Sequence, residues 1–137
     1  MELIRPTAGT ESERSLGPFT GDIWRDMFHV GHETVVGSVH FTPCARTHWH
    51  RHPHGQLLII VAGEGLVVDD EQTLRVSVGD MIYTPPGGRH WHGASADRFM
   101  MHTAITFGGG AVTWEDEVSN TEYELAAGVS PHLDSRP

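Results

Sequence analysis

Eleven histidines occur in this chain of 137 residues, and four of them, His48, His50, His52 and His54, fall within seven positions. Histidine is the commonest metal ligand and the usual acid/base group near neutral pH. In an extended strand, residues two apart point to one face, so His50 and His52 present two imidazoles to the same side. His90 and His92 make a second pair of this kind forty residues on. Two such pairs on neighbouring strands of a small barrel can surround one ion. The alternative is a set of core or surface histidines with ordinary hydrogen bonds. Further along, alternation puts Met100, His102, Ala104 and Thr106 on one face of a strand and Phe99, Met101, Thr103, Ile105 and Phe107 on the other. Small and polar neighbours point the His102 face into a cavity and the bulky face toward packing elsewhere. In a cavity His102 is the candidate general base; otherwise it is a buried histidine tied to a backbone carbonyl.

The elements that must position these side chains are strands. Short runs rich in Val, Ile, Thr and aromatics predict strands near 20–28, 34–42, 47–52, 56–62, 65–69, 73–77, 81–84, 90–95 and 99–107. Gly31, Pro43, Pro53-His54-Gly55, Gly63-Glu64-Gly65, Asp69-Asp70-Glu71, Gly79-Asp80 and Pro85-Pro86-Gly87-Gly88 punctuate them as turns. Many short strands without intervening amphipathic helices imply an all-β sandwich or barrel. Only the tail has helical signals: Ser119-Asn120-Thr121-Glu122 has capping-box form and Gly128 is a stop. The organisation expected is an N-terminal arm over 1–18, one barrel over 19–115 and a C-terminal helical tail over 116–137.

Composition narrows the functions. Net charge is −9, which argues against nucleic acid or an anionic membrane as partner. All nine basic residues are arginine, so Schiff-base and P-loop lysine chemistry is excluded. The longest apolar run, Leu57 to Gly63, is far too short to cross a bilayer. No apolar block resembling a secretory signal lies in the first twenty residues, and the lone Cys44 suits a reducing compartment. A cytoplasmic protein with a small-molecule substrate is expected.

His50-Arg51-His52, Gln56 and Gly63 resemble the first motif of the cupins, and Gly79, Pro85, Gly87 and His90 resemble the second. The resemblance implies a cupin double-stranded β-helix, or jelly-roll barrel, with a divalent metal held by His50, His52, Gln56 and His90. Two departures stand out. Cys44 occupies a position usually held by glycine, and Gln56 one where glutamate is commonest. Three imidazoles and an amide leave a divalent ion its full double charge, which favours anion binding and Lewis-acid chemistry over oxidative chemistry. Within the family, Ala45-Arg46-Thr47, Trp49-His50, residues 53–60, His90-Trp91-His92-Gly93-Ala94, Met101-His102 and the stretch from Val112 to Tyr123 are similar to the small bacterial cupin hydroxynitrile lyases. That subgroup implies manganese or iron at the site; nickel, cobalt and zinc also suit such ligands. Its activity is the cleavage of a cyanohydrin to an aldehyde and hydrogen cyanide.

The reading that follows is a metal-dependent lyase with His102 as the catalytic base and Val39, Phe41, Leu58, Ile60 and Met100 as apolar walls. A metal-dependent dioxygenase and a non-catalytic metal and small-molecule binder are the alternatives. His92 is either an acid/base residue or a support for its neighbours. His48 and His54 are expected at the rim, while His29, His32, His40 and His132 default to structural or surface roles. Trp49 and Trp91, each beside a proposed ligand and facing away from it, are expected to pack. Glu115-Asp116-Glu117 with Glu122 and Glu124 is expected to be a solvated face. A strand near 20–28 at a sheet edge predicts a homodimer or homotetramer.

Overall fold

The computed structural model describes residues 1–6 and 11–129; His132 lies outside them. Thirteen elements follow in order: β1 (Glu13–Arg14), β2 (Phe19–Thr20), β3 (Ile23–Val30), β4 (Thr34–Phe41), β5 (Arg46–Thr47), β6 (His50–Arg51), β7 (Gln56–Asp69), β8 (Thr73–Ser77), β9 (Met81–Thr84), β10 (His90–Ala94), β11 (Met100–Phe107), β12 (Thr113–Trp114) and helix α1 (Asn120–Ala127). All strand pairs are antiparallel, and the sheet runs β1-β3-β4-β11-β7-β10-β5-β2 as it curls into a barrel. None of the described helices is long and apolar enough to cross a membrane.

The 56–69 segment departs from expectation. Gly63-Glu64-Gly65 is not a turn, because β7 runs through it as one strand of 14 residues. Its first half pairs with β11 and β9, its second half with β10 and β8. The two glycines let the strand change sheets: Gly63 has φ +74°, and a Cβ there would collide with the Phe99 carbonyl. A Cβ at Gly65 would strike the Gly93 carbonyl and the Met100 sulfur. Elsewhere the 47–52 segment is split into β5 and β6, and β1 and β12 are short pairings that the pattern did not announce. Cys44 holds φ +70°. That conformation costs a residue with a Cβ about 1–2 kcal/mol, which explains glycine as the commoner choice there.

Alternation divides the core in two. Ile23, Phe41, Leu58, Ile60, Val67, Ile82 and Met100 fill the closed end of the barrel. On the outer side of β10, Trp91 packs with Trp49, Leu66, Val68, Val118 and Tyr123, so Trp49 and Trp91 pack as expected. Helix α1 supplies this cover. Ser119 caps it by accepting from the Glu122 amide, Gly128 ends it in the left-handed conformation, and the Tyr123 hydroxyl donates to the Ala94 carbonyl at 2.7 Å. β10 is therefore buried on both faces, with His90 and His92 inward and Trp91 outward.

Candidate functional site

The site begins with one registered pair. His50 on β6 lies directly opposite His90 on β10, so the two histidine motifs meet across a single antiparallel ladder. His52 follows just past the end of β6, and the three rings offer nitrogens all within 4.8 Å of one another. All three residues are buried. This cluster could hold a metal ion.

The hydrogen bonds test whether the donors suit one. His50 Nδ1 lies 2.9 Å from the His48 carbonyl, His52 Nδ1 3.0 Å from the Ala111 carbonyl, and His90 Nδ1 3.0 Å from the Gly88 carbonyl. A carbonyl only accepts, so each Nδ1 carries the proton and each Nε2 keeps its lone pair for a ligand bond. Burial lowers all three pKa values. For His50 the second cause is the neighbouring His90, and His90 itself is pushed down to about 4. Neutral imidazoles are the form that binds metal. Gln56, at the start of β7, is buried; its Nε2 donates to Thr106 Oγ1 at 3.0 Å, and its Oε1 lies 3.4 Å from His90 Nε2. The amide is thus oriented with its oxygen toward the imidazoles. These donors fit a divalent transition metal, with nothing in the set to neutralise its charge.

Beside this cluster lies a second one. The His92 ring centroid is 5.2 Å from that of His50 and 5.6 Å from that of His90, and the His102 ring is 4.8 Å further along. His102 Nε2 and His92 Nδ1 share a hydrogen bond of 3.0 Å. The outer nitrogens, His92 Nε2 and His102 Nδ1, are buried without a protein partner. Burial pushes the His102 imidazole down to about 3 and lowers that of His92 well below its usual value, with each other's proximity adding to the effect on His92. Sequence reasoning singled out His102 and left His92 open; in the structure His92 stands between His102 and the metal-ligand cluster.

His50, His52 and Gln56 of the first cluster and both rings of the second line a cavity of about 160 Å³, which His90 does not reach. Val39 lines it, along with Val35, Ala104, Val112, Phe19 and Trp114. Phe41, Leu58, Ile60 and Met100 do not, contrary to expectation: they belong to the buried core cluster, from which the Phe41 ring packs 5.2 Å from that of His102 and 5.7 Å from that of His92. Trp114 on β12 packs 4.8 Å from His50; it lies in the Val112–Tyr123 stretch noted in the sequence, but nothing local to that stretch assigns it to the site. His54 is exposed and His48 half-buried, its carbonyl rather than its ring serving the site. His29 and His40 are half-buried and His32 is exposed, away from both clusters. Glu115 is not simply solvated: it binds Arg51 at 2.6 Å and Arg89 at 2.7 Å, joining the two strands that carry His50 and His90. Solvent screens such pairs, so their effect here is alignment more than stability.

Comparison with known proteins agrees with this anatomy. The cupin domain family model matches residues 37–106. The (R)-mandelonitrile lyase of Granulicella tundricola is 36% identical over 129 residues, which cover 90% of this chain and 98% of that protein. Among solved structures, a cupin-like protein from Thermotoga maritima is 33% identical with a TM-score of 0.75, covering 92% of this chain and 97% of that one. A cupin 2 conserved barrel domain protein from Rhodopseudomonas palustris shares the fold at 17% identity and a TM-score of 0.69, covering 88% and 89%. With its motifs, its barrel and its relatives in agreement, this chain belongs to the cupin family.

Proposed function

We propose that the protein is a metal-dependent lyase that cleaves a small cyanohydrin to an aldehyde and hydrogen cyanide, with His50, His52, Gln56 and His90 as the metal ligands. The observation that carries the reading is the buried His92–His102 pair lying against three imidazoles with free Nε2 donors. The 36% identity to a protein named as a mandelonitrile lyase supports the choice of reaction. A divalent manganese or iron ion bound there supplies positive charge that favours the alkoxide and cyanide character developing in the transition state.

The chain's own part is to move one proton and exclude water. With the shared proton on His92 Nδ1, the lone pair of His92 Nε2 faces the site and accepts the hydroxyl proton of the cyanohydrin. The C–CN bond breaks, its electron pair leaves with cyanide, and the C–O bond becomes a carbonyl. Cyanide then takes the proton back from His92. His102 holds the His92 ring in place and sets which of its nitrogens carries the proton. The apolar wall of Val35, Val39, Val112 and Phe19 receives the carbon body and keeps bulk water out. A low imidazole pKa keeps His92 neutral and able to act as a base.

The test is elemental analysis of the purified protein followed by cyanide release from mandelonitrile. Metal-dependent release well above the uncatalysed rate is expected with manganese or iron. Release no faster than buffer with either metal rejects the lyase reading.

A further inference from the structure

Arg25 is an exposed arginine at the edge of the cavity. Ile23, Arg25 and Met27 share one face of β3; Ile23 is buried, whereas Arg25 and Met27 are exposed and line the mouth of the cavity. Every other arginine between residues 14 and 98 is engaged. Arg14 pairs with Asp22, Arg51 and Arg89 with Glu115, and Arg98 with Glu64. Arg46 donates to the Val118 carbonyl and Arg75 to that of Ala127. Arg25 makes no ion pair or side-chain hydrogen bond with any described residue. Its guanidinium lies 5.7 Å from the centroid of the Phe19 ring, a second cavity-lining residue. Glu13 stands opposite Arg25 in the β1–β3 register but does not come within ion-pair distance.

Among the described residues Arg25 is also the only formally charged side chain lining the cavity, whose other polar residues are histidine, glutamine and threonine. The result is an apolar chamber with neutral donors and one uncommitted guanidinium. Such a fork matches a carboxylate in geometry and charge. A phosphate group carries up to two charges and wants several donors, and no second cation lines the cavity to supply them. The volume of about 160 Å³ falls below the range for drug-sized ligands, so the occupant is small.

We propose that Arg25 anchors a carboxylate, so that the ligand of this cavity is a small molecule with an apolar body and a carboxylate group. The inference rests on the cavity being the substrate site, as in the lyase reading, and specifies it further: the aldehyde formed bears a carboxylate on its body, unlike the neutral benzaldehyde that mandelonitrile releases.

The experiment is calorimetric titration of the full-length protein, with its metal as isolated, by 3-phenylpropionate and by the neutral 3-phenylpropionamide. The carboxylate is expected to bind about tenfold tighter than the amide, the scale of one charge-assisted contact. Arg25→Gln should abolish that preference while leaving amide binding as it was, and Arg25→Lys should keep part of it. Circular dichroism on each variant checks that the barrel is intact. Equal affinities in the parent protein, absence of binding by both probes, or a preference that survives Arg25→Gln would each overturn the proposal; the last would assign the carboxylate to the metal centre. No cyanohydrin is present in the titration, so cyanide release from mandelonitrile judges the lyase reading separately.

Discussion

His50, His52 and His90 hand their Nδ1 protons to backbone carbonyls, whereas His92 and His102 have only each other. The five rings are close neighbours, all buried, all held neutral by burial. What separates them is the partner. A carbonyl cannot give a proton, so it locks one tautomer and dedicates the remaining nitrogen to a ligand bond. An imidazole partner can give or accept, so the proton between His92 and His102 has two homes. When His92 Nε2 takes up a proton, the one on Nδ1 can pass to His102 Nε2, which leaves His92 neutral with Nε2 as a donor and the charge on His102. One cluster is built for fixed coordination and the other for proton traffic.

The sharpest break of this comparison is to remove the fixed cluster. Alanine at His50, His52 and His90 together should take bound metal from stoichiometric to background by elemental analysis, and activity with it, while far-ultraviolet circular dichroism stays that of the barrel. Full metal occupancy in the triple variant would mean that the anchored rings are not the ligands.

The next effect is smaller and separates the mobile pair from the fixed one. His92→Ala should leave metal content unchanged and lower turnover by about 100- to 10,000-fold, the usual cost of losing a positioned base. His102→Ala should cost less, because it acts through His92. A larger loss at His102 than at His92, at equal metal content, would reverse their roles and make His102 the group that meets the substrate.

The mildest change tests the charge of the fixed cluster. Gln56→Glu should retain the ion but weaken binding of a probe anion such as azide by about tenfold, because the site loses one unit of positive charge. Thr106 can turn its hydroxyl to donate to the new carboxylate, so stability should hold. Unaltered azide affinity would mean that residue 56 does not approach the ion.

Much of this arrangement was legible before the structure. The HxH pairs could be assigned to one face because side-chain direction in a strand has period two, and the His50–His90 pairing then follows from the ladder. Ser119 and Gly128 marked the ends of α1 because capping chemistry is local. Other features depend on three dimensions. Gly63 and Gly65 have the composition of a turn, yet they bend one strand between two sheets, since the demand for a missing Cβ comes from the distant Phe99 and Gly93 carbonyls. The His92–His102 bond joins β10 to β11, which never pair; both flank β7, and only the curl of the sheet brings their inner faces together. The misassigned walls have a similar cause. Gln56, Leu58 and Ile60 share one face of β7, but periodicity does not say which end of the strand is the open one.

Trp114 offers a last consequence, in optics. Three of the four tryptophans, Trp24, Trp49 and Trp91, stay out of the cavity, and Trp49 and Trp91 are sealed beneath α1. Trp114 alone lines it, with its indole tilted against the His50 ring at one side and meeting Phe19 edge-on at the other. Anything that arrives at His50 or displaces Phe19 alters the polarity and contacts of that one fluorophore. The protein thus carries its own gauge of occupancy, and light emitted by Trp114 reports the filling of the cavity without a label.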